Sequence, residues 1–106
     1  MNKQILTAVF SEEIKDEIID TMMSLEVVSG FTLGAVHGYS REHSRYDIKE
    51  QVAGHRRMCR IEVMHGEDQE QVLLAALQDA GKASHVRYWI SPVSGSGVIP
   101  DSGEPH

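Results

Sequence analysis

The side chains in this sequence that could do chemistry are mainly histidines and arginines. The chain has six histidines among 106 residues, and neutral imidazole is the commonest protein ligand for transition metals. His37 and His43 flank the start of a long polar segment, and we expect them to be the metal ligands if the protein binds a metal. No two histidines show H-x-H or H-x3-H spacing, so solvated loop histidines are the alternative.

Adjacent arginines are a second candidate site. Guanidinium groups bind oxyanions such as phosphate or bicarbonate through pairs of parallel hydrogen bonds, and Arg56 stands next to Arg57. A solvated entrance to a strand explains this pair equally well. The sequence contains no nucleophile elbow, P-loop, Rossmann glycine set or metalloprotease motif. We therefore expect a binding protein and not an enzyme.

The composition and net charge of the chain indicate which classes of partner to expect. Hydrophobic residues make up 41% of the chain and charged residues 25%, as in a globular domain with one core. The formal net charge of −6 repels phosphate backbones and anionic lipids, so we expect neither nucleic acid binding nor membrane insertion. The start of the chain lacks a signal-peptide pattern. The single cysteine fits a reducing compartment, and we expect a cytoplasmic protein.

Hydrophobic periodicity in the first part of the chain predicts a strand, a helix and a second strand. Residues 4–10 alternate as a buried strand, and Ser11 is a helix N-cap followed by acidic residues that suit the helix dipole. Apolar residues three and four positions apart predict a helix over residues 12–25. Alternation resumes over residues 31–39, and the polar run 40–54 predicts a long loop.

The second part of the chain repeats this order. Residues 56–64 predict a third strand with one apolar and one polar face. Asp68 and Gln71 have the spacing of a capping box that opens a helix, and Gly81 ends that helix. Residues 85–90 predict a fourth strand, closed by the Ser-Pro pair that follows.

This order predicts an α+β domain over residues 1–94. Its fold class is the ferredoxin-like βαββαβ sandwich, a four-stranded antiparallel sheet with two helices on one face. Residues 95–106, rich in Gly, Ser and Pro, predict a mobile tail. The face without helices would expose large apolar side chains, and we expect subunits to associate through it. The side chains concerned are Met58, Met64, Tyr88 and Trp89.

Several short runs resemble the PII-like superfamily of trimeric signalling proteins, which includes PII and CutA-type proteins. The run Gly38-Tyr39-Ser40-Arg41 is similar to the entry of the PII T-loop, and the run Arg60-Ile61-Glu62-Val63 is similar to the strand that leaves it. The resemblance spans residues 5–93. Residues 29–32, 50–54 and 86–93 are more narrowly similar to an uncharacterised proteobacterial PII-like family that is often encoded near heavy-metal efflux systems.

The resemblance implies a homotrimer that binds a small effector in clefts between subunits. The effector would be a nucleotide or a divalent transition metal ion, and loop 40–54 would signal to a partner such as a membrane transporter. Nitrogen-regulatory-like signalling or metal homeostasis is the function this implies. The residues that the resemblance places at the ligand are Gly38, Arg41, Glu42, Arg57 and Arg87.

The sequence departs from the PII pattern at three places that contact nucleotide. The glycine-rich turn before the last strand is replaced by residues 84–87, which read Ser-His-Val-Arg. Glu42 stands where PII proteins have Gln, and Met58 stands where they have a phosphate-contacting Lys. These changes put nucleotide binding of the PII kind in question and leave Arg41, Arg57 and Arg87 as the cationic candidates.

Two other functions fit parts of the sequence. A CutA-like metal-buffering protein would bind ions through His37, His43 or His65. A small cofactor-free monooxygenase of the same fold would use a tryptophan and a histidine in the cleft between sheet and helices, and the chain offers Trp89. Oligomeric state separates the monooxygenase from a PII-like protein, because enzymes of this type are dimers. Loop mobility separates a metal buffer from a signalling protein, because a buffer needs no change in a loop that faces a partner.

Overall fold

A computed structural model of the chain describes residues 2–39, 56–82 and 84–99. The predicted loop 40–54 lies outside these residues, as does the end of the predicted tail. The elements, in chain order, are β1 (Lys3–Ser11), a 3₁₀ turn (Glu12–Ile14), α1 (Lys15–Ser24), β2 (Thr32–Gly38), β3 (Arg56–Gly66), a 3₁₀ turn (Glu67–Gln69), α2 (Glu70–Ala80) and β4 (Arg87–Val93).

The four strands form one antiparallel sheet in the order β2-β3-β1-β4. Strand β1 pairs with β3 along its whole length, from Lys3 opposite Gly66 to Ser11 opposite Met58. Its other edge pairs with β4, and β3 pairs with β2. Strands β2 and β4 are therefore the sheet edges within the described chain. The predicted ferredoxin-like α+β fold is confirmed.

One face of the sheet packs against both helices and forms the core. Alternate residues of β1 and β3 meet the inner sides of α1 and α2, and each side chain of this set is at most 4% exposed. The set consists of Leu6, Ala8, Phe10, Cys59, Ile61, Val63, Ile18, Met22, Leu73 and Leu77. Because side chains alternate along a strand, the residues between them lie on the other face, which we call the open face.

The open face carries a mixture of apolar and charged side chains. Its central strands contribute Lys3, Ile5, Thr7, Val9, Ser11, Arg56, Met58, Arg60, Glu62, Met64 and Gly66, and its edge strands contribute Thr32, Gly34, Val36, Gly38, Arg87, Trp89, Ser91 and Val93. Met64 is 40% exposed and Trp89 is 44% exposed. The prediction that Tyr88 shares this face is wrong, because Tyr88 is opposite Ala8 on the helix-covered face.

The helix starts agree only in part with the predicted caps. The Ser11 hydroxyl accepts the Glu13 N–H at 3.2 Å, as predicted. The second helix begins differently, because β3 extends to Gly66 and a 3₁₀ turn precedes α2. Gln69 Oε1 accepts the Gly66 N–H at 2.9 Å, which places the cap two residues before the predicted Asp68 and Gln71 pair.

The fourth strand is longer than predicted. It continues through Pro92, which is opposite Gln4, to Val93 opposite Lys3. Proline cannot donate a backbone hydrogen bond, but an edge strand tolerates this because half of its N–H groups face away from the sheet. Helices α1 and α2 have 10 and 11 residues, and no helix in the described chain is long and apolar enough to cross a bilayer.

Candidate functional site

The candidate ligand residues that the structure describes lie towards one end of the sheet. At this end, which we call the loop end, β1 and β2 finish and β3 and β4 begin. Strands β2 and β3 stay paired up to Gly38 opposite Arg56, so the end of β2 and the start of β3 are adjacent. A side chain at Gly38 would collide with the thioether of Met58, which covers its Cα. The base of this connection is therefore tightly packed.

His37 and Arg57 lie directly opposite each other at the loop end. Both side chains are exposed. Within the described residues, no group of three or more His, Cys, Asp or Glu side chains could hold a metal ion. His43 lies outside those residues, so the predicted metal site stays a prediction.

Arg87 begins β4 and points onto the open face. It is opposite Val9 of β1, and the other neighbour of Val9 is Arg60 of β3. Neighbouring strands are about 4.8 Å apart, so the Arg60 and Arg87 Cα atoms are about 10 Å apart across Val9. Arg57 has the opposite orientation, because odd-numbered residues of β3 share the helix-covered face with Cys59.

The predicted ligand residues do not converge within one chain. Gly38 lies on the β2 edge of the sheet and Arg87 lies on the β4 edge. Three strand spacings and a register offset separate them, so their Cα atoms are about 20 Å apart. Arg41 and Glu42 follow Gly38 in the sequence but lie outside the described residues. A small ligand cannot contact both edges of the same sheet.

A cavity of about 530 Å³ opens between α2 and the start of β4. Its lining combines apolar side chains with amide, hydroxyl and ammonium groups, and includes Leu74, Gln78, Lys82, Ser84, Val86 and Tyr88. The wall depends on Gly81, where an added Cβ would lie 2.6 Å from Val86 Cγ2 and 3.0 Å from the Leu77 carbonyl oxygen. The cavity has the size of a small-molecule site.

His65 is far from the other candidate residues and is buried. It lies eight positions after Arg57 on β3, which is about 27 Å along the strand. The side chain is 4% exposed, and its Nδ1 is 2.8 Å from the Gly66 carbonyl oxygen. Among the described residues its Nε2 has no hydrogen-bond partner, and neither has Oε1 of Gln4, the residue directly opposite. Within one chain, His65 and His37 cannot share an ion.

The remaining candidates have structural positions. Cys59 is a buried thiol in the core, and burial raises its pKa, so it packs as a small apolar group. Trp89 lies opposite Thr7 on the open face, away from both helices. The tryptophan that a cofactor-free monooxygenase would need in the cleft between sheet and helices is therefore not there.

Comparison with known proteins places the chain in a family. The family model that matches residues 1–100 is DUF3240, described as a protein of unknown function. The chain belongs to the DUF3240 family. A crystal structure of a DUF3240 family protein from Shewanella baltica OS155 is 37% identical, with a TM-score of 0.79, and the match covers 94% of this chain and 99% of that one. No curated protein matches the chain.

A second solved structure connects this family to the PII-like fold. CPII, a nitrogen regulatory PII-like protein from Thiomonas intermedia K12 bound to ADP, AMP and bicarbonate, has a TM-score of 0.69 and 15% identity. The match covers 93% of this chain and 98% of CPII. At this identity the comparison shows the fold alone. The predicted resemblance to an uncharacterised PII-like family is confirmed, and the link to metal efflux stays a prediction.

One residue of interest was missed in the sequence. The alternation of residues 56–64 predicts that Arg60 lies on the polar face of the third strand, and nothing in the sequence pairs it with Arg87. The pairing requires the register of β1 with both neighbours, which brings residues 60 and 87 to either side of Val9. The alternation of apolar and polar residues in the third strand predicts which face of the sheet Arg60 lies on, but it does not predict which residue of another strand lies beside it.

Proposed function

We propose that this DUF3240 protein is a PII-like homotrimeric regulator that binds a small ligand in clefts between subunits and signals through residues 40–54. The observation that supports the proposal is that the predicted ligand residues Gly38 and Arg87 lie on opposite sheet edges. Gly38 ends the edge strand β2, and Arg87 begins the other edge strand, β4. Their joint use requires the β2 edge of one copy to meet the β4 edge of another.

Contact between unlike edges has a consequence for assembly. An interface in which two different surfaces meet is heterologous, and it closes into a ring when the rotation between copies permits. We propose that this ring also turns the open faces towards one another, since Met64 and Trp89 on that face are 40% and 44% exposed in the single chain. The proposed trimer therefore accounts for both the divided site and the apolar open face.

The ligand we propose is a nucleotide. CPII shares the fold and is bound to ADP, AMP and bicarbonate, and Arg41, Arg57 and Arg87 supply the charge that phosphate groups require. The cavity beside Gly81 and Val86 could accept the remainder of the ligand. In this proposal Gly38 marks the point where the ligand-contacting segment leaves β2, and Glu42 accepts a hydrogen bond from the ligand.

Signalling would follow from the position of residues 39–55. A ligand in the cleft contacts both the base of this segment and a neighbouring subunit, so binding can change which arrangement of the segment is favoured. The partner we propose is a cytoplasmic surface of another protein, with a metal transporter as one candidate. A divalent metal ion bound by His37 and His43 is the alternative effector.

A thermal-shift screen with measured oligomeric mass tests this function. Metal-stripped protein would be heated with ADP, AMP, bicarbonate, Zn²⁺, Cu²⁺, Ni²⁺ or Co²⁺, after light scattering establishes its mass. A ligand at 100 times its dissociation constant stabilises the folded state by about 2.7 kcal/mol. We expect a trimer that a nucleotide stabilises, with the shift lost in Arg87→Gln and kept in Lys3→Gln.

Other outcomes would contradict the proposal. A monomeric protein would contradict a ligand site formed between subunits. A trimer that no nucleotide stabilises would contradict the assignment of a nucleotide as the ligand. Stabilisation by a metal ion alone, abolished by His37→Ala or His43→Ala, would replace nucleotide signalling with metal binding.

A further inference from the structure

The charge of the open face is opposite to that of the whole chain. The protein has a formal net charge of −6, yet the paired strands place Lys3, Arg56, Arg60 and Arg87 on the open face and only Glu62 as an acidic residue. Positive charge is therefore concentrated on the surface that the proposed trimer covers. A covered surface of like charges is unfavourable unless a counter-charge accompanies it.

Arg60 and Arg87 form the centre of this charge. They flank Val9, one on each neighbouring strand, with Cα atoms about 10 Å apart. Side chains on neighbouring strands of one face stand roughly parallel, so both guanidinium groups can reach an anion placed over Val9. Val9 offers no competing polar group beneath that position.

Neither arginine has a charge partner among the residues that the structure describes. Among the described residues, no hydrogen bond or ion pair is formed by the guanidinium of Arg60 or Arg87, although Glu62 lies two residues from Arg60 on the same strand. Gly34 lies opposite Arg60 on the β2 side, and no heavy atom lies within 4 Å of the place where its side chain would begin. The side chains therefore have both unused donors and open space.

We propose that Arg60 and Arg87 together bind an oxyanion of the phosphate class on the open face. The proposal deepens the proposed function and rests on it, because Arg87 also belongs to the ligand residues proposed above; it adds Arg60 and places the anion over Val9. Each guanidinium donates hydrogen bonds to the anion oxygens. The bound anion neutralises the two charges that another copy covers, so anion binding and subunit association strengthen each other.

Trp89 makes the binding measurable. It is the single tryptophan of the chain and lies on the open face two residues after Arg87, about 7 Å along β4. When the full-length protein is titrated with inorganic phosphate at constant ionic strength, the Trp89 fluorescence should change and then reach a plateau as the site becomes saturated. Sulfate should compete with phosphate, because it has the same tetrahedral shape, and chloride should not.

Four variants locate the site. Arg60→Gln and Arg87→Gln should each weaken phosphate binding about tenfold or more, since each removes charge-assisted hydrogen bonds. Arg60→Lys, which keeps the charge but loses the planar pair of donors, should weaken binding less. Lys3→Gln is the matched control, because Lys3 has the same charge on the same face but lies about 20 Å from Val9 along β1; we expect a change below about twofold.

The outcomes separate this proposal from the proposed function. Unchanged phosphate affinity in Arg60→Gln of native oligomeric mass would overturn the anion site, as would an equal loss in Lys3→Gln. If ADP binds and depends on Arg87 but not on Arg60, the proposed function stands and the anion site fails. If phosphate binding depends on both arginines while ADP does not bind, the anion site stands and the nucleotide assignment fails.

Discussion

The contact between Gly81 and Val86 gives a quantitative prediction about the segment that positions Arg87. Gly81 ends α2, and a methyl group added there would lie 2.6 Å from Val86 Cγ2 and 3.0 Å from the Leu77 carbonyl oxygen. The first separation is far inside van der Waals contact, which is about 3.5–4.0 Å for two carbon atoms. Gly81→Ala therefore requires Val86 to move, and with it the start of β4.

The expected cost follows from this geometry. Overpacking of a tight site by one methyl group typically destabilises a protein by about 1–3 kcal/mol. Val86→Ala removes two methyl groups from a half-buried side chain that packs on the core, which should cost about 1 kcal/mol. In the double variant the smaller side chain at residue 86 leaves room for the new methyl group, so its total cost should fall below the sum of the single costs by about 1 kcal/mol or more.

Equilibrium urea unfolding of the four proteins, at one protein concentration, measures this coupling. The same concentration is needed because the stability of an oligomer depends on it. Strict additivity of the two substitutions would refute the contact between residues 81 and 86. A stabilised Gly81→Ala variant would refute it more strongly, since an open site favours alanine over glycine.

Two further predictions concern buried polar atoms. Gln4→Met removes the unpartnered Oε1 of Gln4 while keeping a similar shape, so the free energy of unfolding in urea should rise by about 1 kcal/mol; a decrease would show that this oxygen has a partner. Burial raises the pKa of the Cys59 thiol, so the unfolded chain releases this proton at a lower pH than the folded chain. Stability should therefore fall as the pH rises above the ordinary thiol pKa of about 8.5, and Cys59→Ala should lack that part of the pH dependence.

Much of the fold could be predicted because local patterns and tertiary packing agree. The alternation over residues 4–10 and 56–64 places Leu6, Ile61 and their neighbours in the core, and the structure buries them. The helical stripe of residues 14–25 likewise places Ile18 and Met22 inward. Boundaries were less predictable: Pro92 reads as a strand end, but an edge strand tolerates it.

The site could be predicted less well because it depends on register. A shift of one residue in pairing moves a side chain to the other face, and the sequence alone placed Tyr88 on the wrong face. For the same reason the sequence does not show that Arg60 and Arg87 lie close together, because their positions depend on how β3 and β4 each pair with β1. The sequence predicts that the third strand ends at residue 64, which places His65 in a loop. Strand β3 extends two residues further, to Gly66, and His65 is buried within it.

A site shared between subunits can be tested directly with mixed oligomers. Arg41→Gln damages the proposed half-site on the β2 edge, and Arg87→Gln damages the half-site on the β4 edge. Neither variant alone should bind ADP. After equal amounts are dissociated and reassembled together, about a quarter of the clefts should combine two intact halves, because each cleft takes one half from each of two neighbours.

The decisive measurement is therefore ADP binding by the reassembled mixture, with subunit exchange verified by mass. We predict recovery of about a quarter of the wild-type number of sites at the wild-type affinity. Wild-type protein that binds ADP, together with a fully exchanged mixture that recovers no binding, would contradict a ligand site formed between subunits.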